Sequence, residues 1–143
     1  MSSYLNIYLV PKKRNDEDIP EPLLFMSYSR NSGVYQACWE SIAYIGNGDS
    51  YQYTELTSEL MSSILEEEKK DLDKFNKRYT DKITIAKEVS PTKEFLEDLI
   101  EDSLSTKEYI EELKDTIKEL ENIASWVNNI QYSEFEKVLA NVD

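Results

Sequence analysis

The chain has 143 residues and a mass of 16.7 kDa, a size typical of a single domain that can bury one hydrophobic core. It carries 29 acidic and 16 basic residues, a formal net charge of −13, so direct binding to nucleic acid or to an anionic membrane is not expected. Histidine is absent and Cys38 is the only cysteine, which excludes Cys/His zinc sites, Ser-His-Asp triads and an intramolecular disulfide within this sequence.

The chain divides into two parts near residue 53. Residues 1–53 hold four basic and six acidic residues, seven of the ten tyrosines and all three glycines. Residues 54–143 hold 12 basic and 23 acidic residues and no glycine. We interpret residues 1–53 as a tyrosine-rich ββα module and residues 54–143 as an acidic helical hairpin that packs on it or extends from it. The predicted fold class is therefore α+β.

The first part begins with two predicted strands. Residues 4–10 are rich in β-branched and aromatic side chains and place Leu5, Ile7 and Leu9 on one face, which predicts a strand that ends at Pro11. Residues 12–22 are polar and predict a loop. Residues 23–29 predict a second strand, antiparallel to the first because the connection is short.

A short helix follows the two strands. Ser32 is a suitable N-cap, and apolar residues recur at helical spacing as far as the stop at residues 46–48. The apolar residues at this spacing are Val34, Cys38, Ile42 and Ile45. Cys38 is interpreted as an inert core thiol because it lies on this apolar face. Residues 51–53 are a candidate third strand.

The second part predicts two long helices. The first starts with Thr54 or Thr57 as its cap and runs to about Glu88, and the second begins at Ser90-Pro91, a cap followed by a proline at the first helical position. A short connection predicts an antiparallel hairpin, packed through an apolar seam like that of a coiled coil. Residues predicted to be buried along this seam are Leu99, Leu113, Ile117 and Leu120.

Two details of the second part depend on polar residues. Ser103 and Thr106 fall in the apolar seam, and Ser105 has the capping-box spacing to Glu108, so the second helix is predicted to kink or restart there. Ser133 is interpreted as the cap of a last short helix, and its apolar residues are Phe135, Val138 and Leu139. The seam could also remain partly exposed and associate with a second copy of the chain or with another protein.

A stripe of carboxylates on the second long helix is the most distinctive feature of the sequence. Residues 94–121 contain eleven acidic residues and three lysines, and most of the acids lie opposite the seam. Such a face can simply be solvated, or its carboxylates, one helical turn of about 5.4 Å apart, can imitate a nucleic-acid backbone. The candidate contact residues are Glu97, Asp98, Glu101, Glu108, Glu111, Glu112 and Asp115. Residues 66–70 are interpreted only as helix support, through a pair between Glu66 and Lys70.

The aromatic residues of the first part allow two interpretations. They either cover one face of the sheet, with the short helix on the other, or form an exposed patch of the kind enriched at protein interfaces. The candidate residues are Tyr4, Tyr8, Tyr28 and Trp39. No glycine-rich phosphate loop, calcium loop or metal-ligand pattern is found in the sequence, so no cofactor and no metal are expected.

These features favour a non-enzymatic protein-binding protein whose partner has a basic surface, such as that of a nucleic-acid-binding protein. The low content of Gly, Pro, His and Arg is typical of low-GC genomes, and small acidic proteins without catalytic motifs are frequent among bacteriophage accessory proteins. We therefore expect an inhibitor or adaptor of this type, cytoplasmic, in the bacterial host if phage-encoded. The alternative is a structural protein that self-associates, as a homodimer for example, through its hairpin. An enzyme is not expected, because neither a nucleophile nor a catalytic base is recognisable.

Overall fold

The computed structural model describes residues 3–13, 21–45, 53–88 and 93–142 of the chain. Its regular elements are β1 (Tyr4–Pro11), β2 (Leu23–Ser29), α1 (Gly33–Ile45), β3 (Thr54–Glu55), α2 (Ser58–Glu88), α3 (Lys93–Asn129) and β4 (Phe135–Val142). A single 3-10 turn, Ile130–Tyr132, precedes β4. The predicted α+β class, with an N-terminal β-hairpin and a long helix pair, is confirmed.

The four strands form one antiparallel sheet in the order β2-β1-β4-β3. β1 is a central strand, and its residues Leu5, Ile7 and Leu9 are at most 5% exposed because this face of the sheet packs on the helices. Both strands of the predicted hairpin are confirmed, and so is their antiparallel pairing, which aligns Leu5 with Tyr28.

The prediction of a C-terminal helix is wrong. Residues 135–142 form β4, which pairs with β1 along its whole length and aligns Leu5 with Val142. Ser133 accepts a hydrogen bond from the Phe135 N–H at 3.0 Å, but this bond closes a turn before a strand. A strand is favoured because β4 fills the position between β1 and β3, where Val138 and Ala140 enter the core. The sheet thus draws strands from both sides of residue 53.

α1 is built as the sequence predicts. The Ser32 hydroxyl accepts a hydrogen bond from the Tyr35 N–H at 3.1 Å, which caps the first turn. Val34, Cys38 and Ile42 are buried against the sheet. Three predicted features lie outside the described residues: the Ile45 side chain, the helix stop at residues 46–48, and residues 51 and 52 of the third strand. Tyr53, the described residue of that prediction, is not in a strand, and the third strand of the structure, β3, begins at Thr54.

α2 and α3 are antiparallel, 31 and 37 residues long, or about 46 and 55 Å. Thr57 caps α2, since its hydroxyl accepts a hydrogen bond from the Leu60 N–H at 3.1 Å, whereas Thr54 belongs to β3. The predicted cap at Ser90 and Pro91 lies outside the described residues. The sequence predicts a kink or a restart near Ser103. α3 is one helix through this residue, so a restart is wrong, and the Thr106 hydroxyl donates to the Asp102 carbonyl at 2.9 Å within the helix.

The hairpin is packed very differently along its length. We call residues 58–75 and 109–129 its proximal half and residues 76–88 and 93–108 its distal half. In the proximal half, Leu113, Ile117 and Leu120 are buried as predicted. Leu99, in the distal half, is only partly buried, and none of the described residues 76–88 and 93–108 belongs to the hydrophobic core cluster that the helices form with the sheet. None of the helices in the described ranges contains an apolar stretch of the length that spanning a bilayer requires.

Candidate functional site

All seven acidic residues proposed from the sequence are exposed, but they do not share one environment. Glu97, Asp98 and Glu101 lie on the distal half of the hairpin. Glu111 is within 3.5 Å of Lys114, in an exposed ion pair. Glu108 is the last residue of the distal half, whereas Glu112 and Asp115 lie nearer the sheet, where α3 passes α1.

An acidic groove is formed where α1, α2 and α3 meet. It has a volume of about 710 Å³, and its floor includes Gly33, Ala37 and Leu113. Its carboxylates come from α2 and α3: Glu68, Asp71, Glu112, Asp115 and Glu119. Lysine and arginine are absent from its described lining. A second hollow adjoins it on the other side of Glu68 and adds Glu40 and Glu67.

The pKa values of two groups that line the groove are raised, in part by its carboxylates. Partial burial raises the pKa of Glu68, and the nearby carboxylates of Asp71 and Glu67 raise it further. The pKa of Tyr109 is raised by burial and then by Glu68, Asp71 and Glu112. In both cases burial is the larger cause, and the neighbouring carboxylates add to it: those near Glu68 lie on α2, and those near Tyr109 lie on both α2 and α3. A cationic group that entered the groove would relieve this repulsion.

The groove contains residues that sequence reasoning assigned to helix support or did not propose. Glu68 and Asp71 belong to the acidic run of α2, of which only pairing along the helix was expected. Lys70 in fact pairs with Glu67 at 3.8 Å, and Lys69 reaches across the hairpin to Glu121 at 3.6 Å. The helical period alone does not reveal that Glu68 faces α3, because α3 is distant in sequence.

An apolar cleft lies on the other side of Glu119, between α3 and the β2 edge of the sheet. Its volume is about 260 Å³. The Phe25 and Trp126 rings pack at its mouth with centroids 4.7 Å apart. Glu119 is the only charged residue in its described lining, and the rest of that lining consists of Ile7, Leu9, Met26, Tyr28, Asn122, Ile123 and Val138. Sequence reasoning did not propose Phe25 or Trp126.

The four aromatic residues proposed from the sequence are not brought together. Tyr4 and Tyr8 lie on the face of the sheet away from the helices, where Tyr8 packs edge-on against Tyr53 with centroids 5.1 Å apart. Tyr28 is on the helix-facing side, in the apolar cleft, and burial followed by the charge of Glu119 raises its pKa. Trp39 is 42% exposed on α1. One continuous tyrosine patch is therefore not formed.

Cys38 has the predicted core position. It is 3% exposed, and burial, followed by the charge of Glu68, raises the pKa of its thiol to about 12. Within the described ranges, no group of three or more Cys, Asp or Glu side chains is arranged to hold a metal ion. No family model matches the sequence, and neither a curated protein nor a solved structure is similar to it. Interpretation of the site therefore depends on its geometry and charge.

Proposed function

We propose that this protein is a non-enzymatic binding protein that holds a basic segment of a partner protein in the acidic groove. The observation that carries the proposal is the convergence of five carboxylates from two helices on one open groove whose described lining has no cation. A lysine- or arginine-rich segment would satisfy this potential, and so would a surface that normally contacts nucleic acid. The protein would then act as an inhibitor or adaptor of a nucleic-acid-binding protein.

The acidic stripe extends this surface along α3. Glu97 and Asp115 are about 27 Å apart along the helix axis, at 1.5 Å per residue. Exposed charges at this distance from a docked segment act mainly on the rate of association, because they steer the partner before contact. We therefore expect the groove to determine the affinity for the partner, and the distal carboxylates to increase the rate of association.

Self-association is the second candidate function. The observation that favours it is the exposure of large apolar residues on the distal half: Ile85, Ile100 and Leu104 are 46%, 52% and 57% exposed. A second hairpin could cover them. The sign of the net charge opposes this association at low salt, whereas it favours association with a basic partner.

The test begins with affinity capture from the native host and measures binding kinetics for the captured partner. Glu112→Lys combined with Asp115→Lys reverses two charges in the groove. Glu134→Lys combined with Glu136→Lys is the matched control, because it changes the net charge equally at exposed residues next to and within β4. We expect the groove variant to bind about tenfold more weakly or worse, with a smaller salt dependence, and the control to stay near wild type. Equal losses in both variants would reject the groove.

A further inference from the structure

β2 is at the edge of the sheet that the described strands form. Tyr4 is paired with Ser29, and the Arg30 N–H donates to the Ser3 carbonyl at 3.0 Å, which makes Tyr4 and Ser29 a non-hydrogen-bonded pair of the ladder. Hydrogen-bonding direction alternates along an antiparallel strand, so the N–H and C=O of Ser27 point away from β1. Among the described strands, none pairs with this edge of β2.

This edge lacks most devices that protect edge strands. Charged residues and proline are absent from Leu23–Ser29, although both are common on natural edges. Leu23, Leu24 and Phe25 are 53%, 60% and 43% exposed. The pairing shifts by one residue at Phe25, a β-bulge, which leaves residues 26–29 in regular register. An edge of this kind is suited to pair with an added strand.

The bulge also forms the wall of the apolar cleft. Met26 pairs with Ile7 and Leu24 with Tyr8, so Phe25 is the extra residue, and its ring meets Trp126 of α3. Because residues on an added strand alternate between faces, every second side chain would reach over the edge toward Met26 and Tyr28. At about 260 Å³ the cleft is larger than the roughly 150 Å³ cavities that hold benzene. It can accept one large apolar side chain.

The negative charge of Glu119 in the cleft favours a basic partner segment over a second copy of this acidic chain. Glu119 lines both the apolar cleft and the acidic groove, so the two adjoin at this side chain. A second copy of the chain would bring another β2, without a cation, and another net charge of −13 to this edge. An extended segment with a basic residue two positions from a large apolar one would fit the cleft and Glu119 together.

We propose that β2 and the apolar cleft dock an extended segment of a partner protein, which adds to the sheet beside Ser27, inserts a large apolar side chain next to Phe25 and Trp126, and places a basic residue at Glu119. This inference rests on the proposed function for the basic character of the partner. It adds the conformation of the bound segment and the chemistry of its residues.

The probe is a capped peptide of sequence TKTFTKT, which places Phe and both Lys on one face of a strand. TETFTET is the charge control, and TKTFTKT with all of its backbone amides methylated, so that neither edge of the strand can donate, is the hydrogen-bonding control. Trp39→Phe leaves Trp126 as the only tryptophan, so emission reports on the cleft. Hydrogen exchange at Ser27 reports on strand addition, with Met26, whose N–H faces β1, as the internal reference.

At millimolar TKTFTKT we expect a shift of Trp126 emission and at least about tenfold slower exchange at Ser27, with unchanged exchange at Met26. TETFTET should bind at least about tenfold more weakly, and the methylated peptide should not bind. Ser27→Pro should lose binding, whereas Ser27→Ala, which also removes the hydroxyl bonded to Asn6, should retain it. The methylated peptide gives the same answer if Ser27→Pro fails to fold.

Four results would overturn the inference: no emission shift at millimolar peptide, a shift without protection of Ser27, equal binding of TETFTET, or protection of Ser27 before peptide is added. In the last case, dependence on protein concentration identifies a second copy as the occupant, and independence identifies the chain itself. The proposed function is judged separately, by the Glu112→Lys and Asp115→Lys kinetics with the captured partner. A loss there without a peptide effect would reject this docking mode alone.

Discussion

The two halves of the α2/α3 hairpin have similar amphipathic sequences but unequal packing. The proximal half buries Met61, Ile64 and Leu120 to 4% exposure or less, against the sheet and α1. In the described distal half only Ser103 is buried, and Ile85 and Ile100 are about half exposed. Two helices alone cannot cover both of their apolar faces, so a third layer decides how much of the seam becomes core.

At the boundary between the halves and in the described part of the distal half, α2 and α3 are joined by exposed aromatic and charged contacts and not by a buried core. Phe75 and Tyr109 pack edge-on at the boundary, with centroids 4.6 Å apart, and Arg78 lies 5.2 Å from the Phe75 ring. Farther out, Lys82 pairs with Asp102 at 3.4 Å. Exposed contacts of this kind contribute about 1 kcal/mol or less each. The distal half should therefore be the less stable half.

The largest expected effect is on core packing. Leu120→Ala, at a fully buried site, should lower the free energy of unfolding by about 2 to 5 kcal/mol, because it removes buried methyl groups and leaves a cavity. Leu99→Ala is the matched change in the distal half, where the side chain is partly buried, and should cost less than about 2 kcal/mol. Urea unfolding followed by circular dichroism measures both. Equal costs would contradict the difference between the halves.

Thiol labelling tests whether the halves open separately. Cys38 should react at least about a thousandfold more slowly in the folded protein than in denaturant, because its labelling requires opening of the core. Ser103→Cys in a Cys38→Ala background places a thiol at the buried position of the distal half. We expect it to react faster than Cys38. If both thiols react at the same rate in the folded protein, the hairpin opens as one unit.

The third prediction concerns the contact that holds α1 on the proximal half. A Cβ at Gly33 would lie 1.9 Å from Oγ1 and 3.1 Å from Cβ of the buried Thr116 on α3. Gly33→Ala should therefore destabilise the protein by about 1 to 3 kcal/mol, through forced displacement of α1. Adding Thr116→Ala removes the clashing oxygen and should recover most of this loss in a double-mutant cycle. Additive effects of the two changes would show that Gly33 does not set this contact.

Much of this architecture could be predicted from local sequence. The β1 and β2 boundaries follow from alternation and proline, and the Ser32 cap from its hydroxyl. β4 was missed because Phe135, Val138 and Leu139 also fit a helical spacing. Its strand conformation depends on pairing with β1, more than a hundred residues earlier in the chain. The local hydrophobic period cannot show that a segment will pair with a strand so far away in the sequence.

The candidate site was predicted only in part, for the same reason. The acidic stripe follows from helical periodicity, so Glu112 and Asp115 were found. Glu68 joins them only through the packing of α2 on α3, and Phe25 meets Trp126 only because of the bulge in β2. Which distant elements contact each other is determined by packing of the whole core. The acidic character of the surface could therefore be predicted from the sequence, but the shape of the groove and of the cleft could not.

The smallest expected effect separates a crowded carboxylate of the proximal half from a solvated one. Glu68→Gln should raise the free energy of unfolding at neutral pH by less than about 1 kcal/mol, because the folded state holds this carboxylate partly buried beside Asp71 and Glu67. Glu66→Gln removes the same charge from an exposed position on α2 and is the control. Urea unfolding at several pH values measures both variants.

The pH dependence of the free energy of unfolding tests whether the carboxylate of Glu68 is the cause of this effect. The pKa of Glu68 is raised in the folded state above its ordinary value of 4.5, so the folded protein retains this proton over a range of pH where the unfolded chain has lost it. The contribution of Glu68 to stability therefore falls as the pH rises above about 4.5 through the raised pKa. The advantage of Glu68→Gln over Glu66→Gln should appear in this window, persist at neutral pH and vanish below pH 4 or so, where the carboxyl is protonated in both states. An advantage that did not change with pH would come from packing of the amide, and the groove would not be the site of charge crowding that the proposed binding of a basic segment requires.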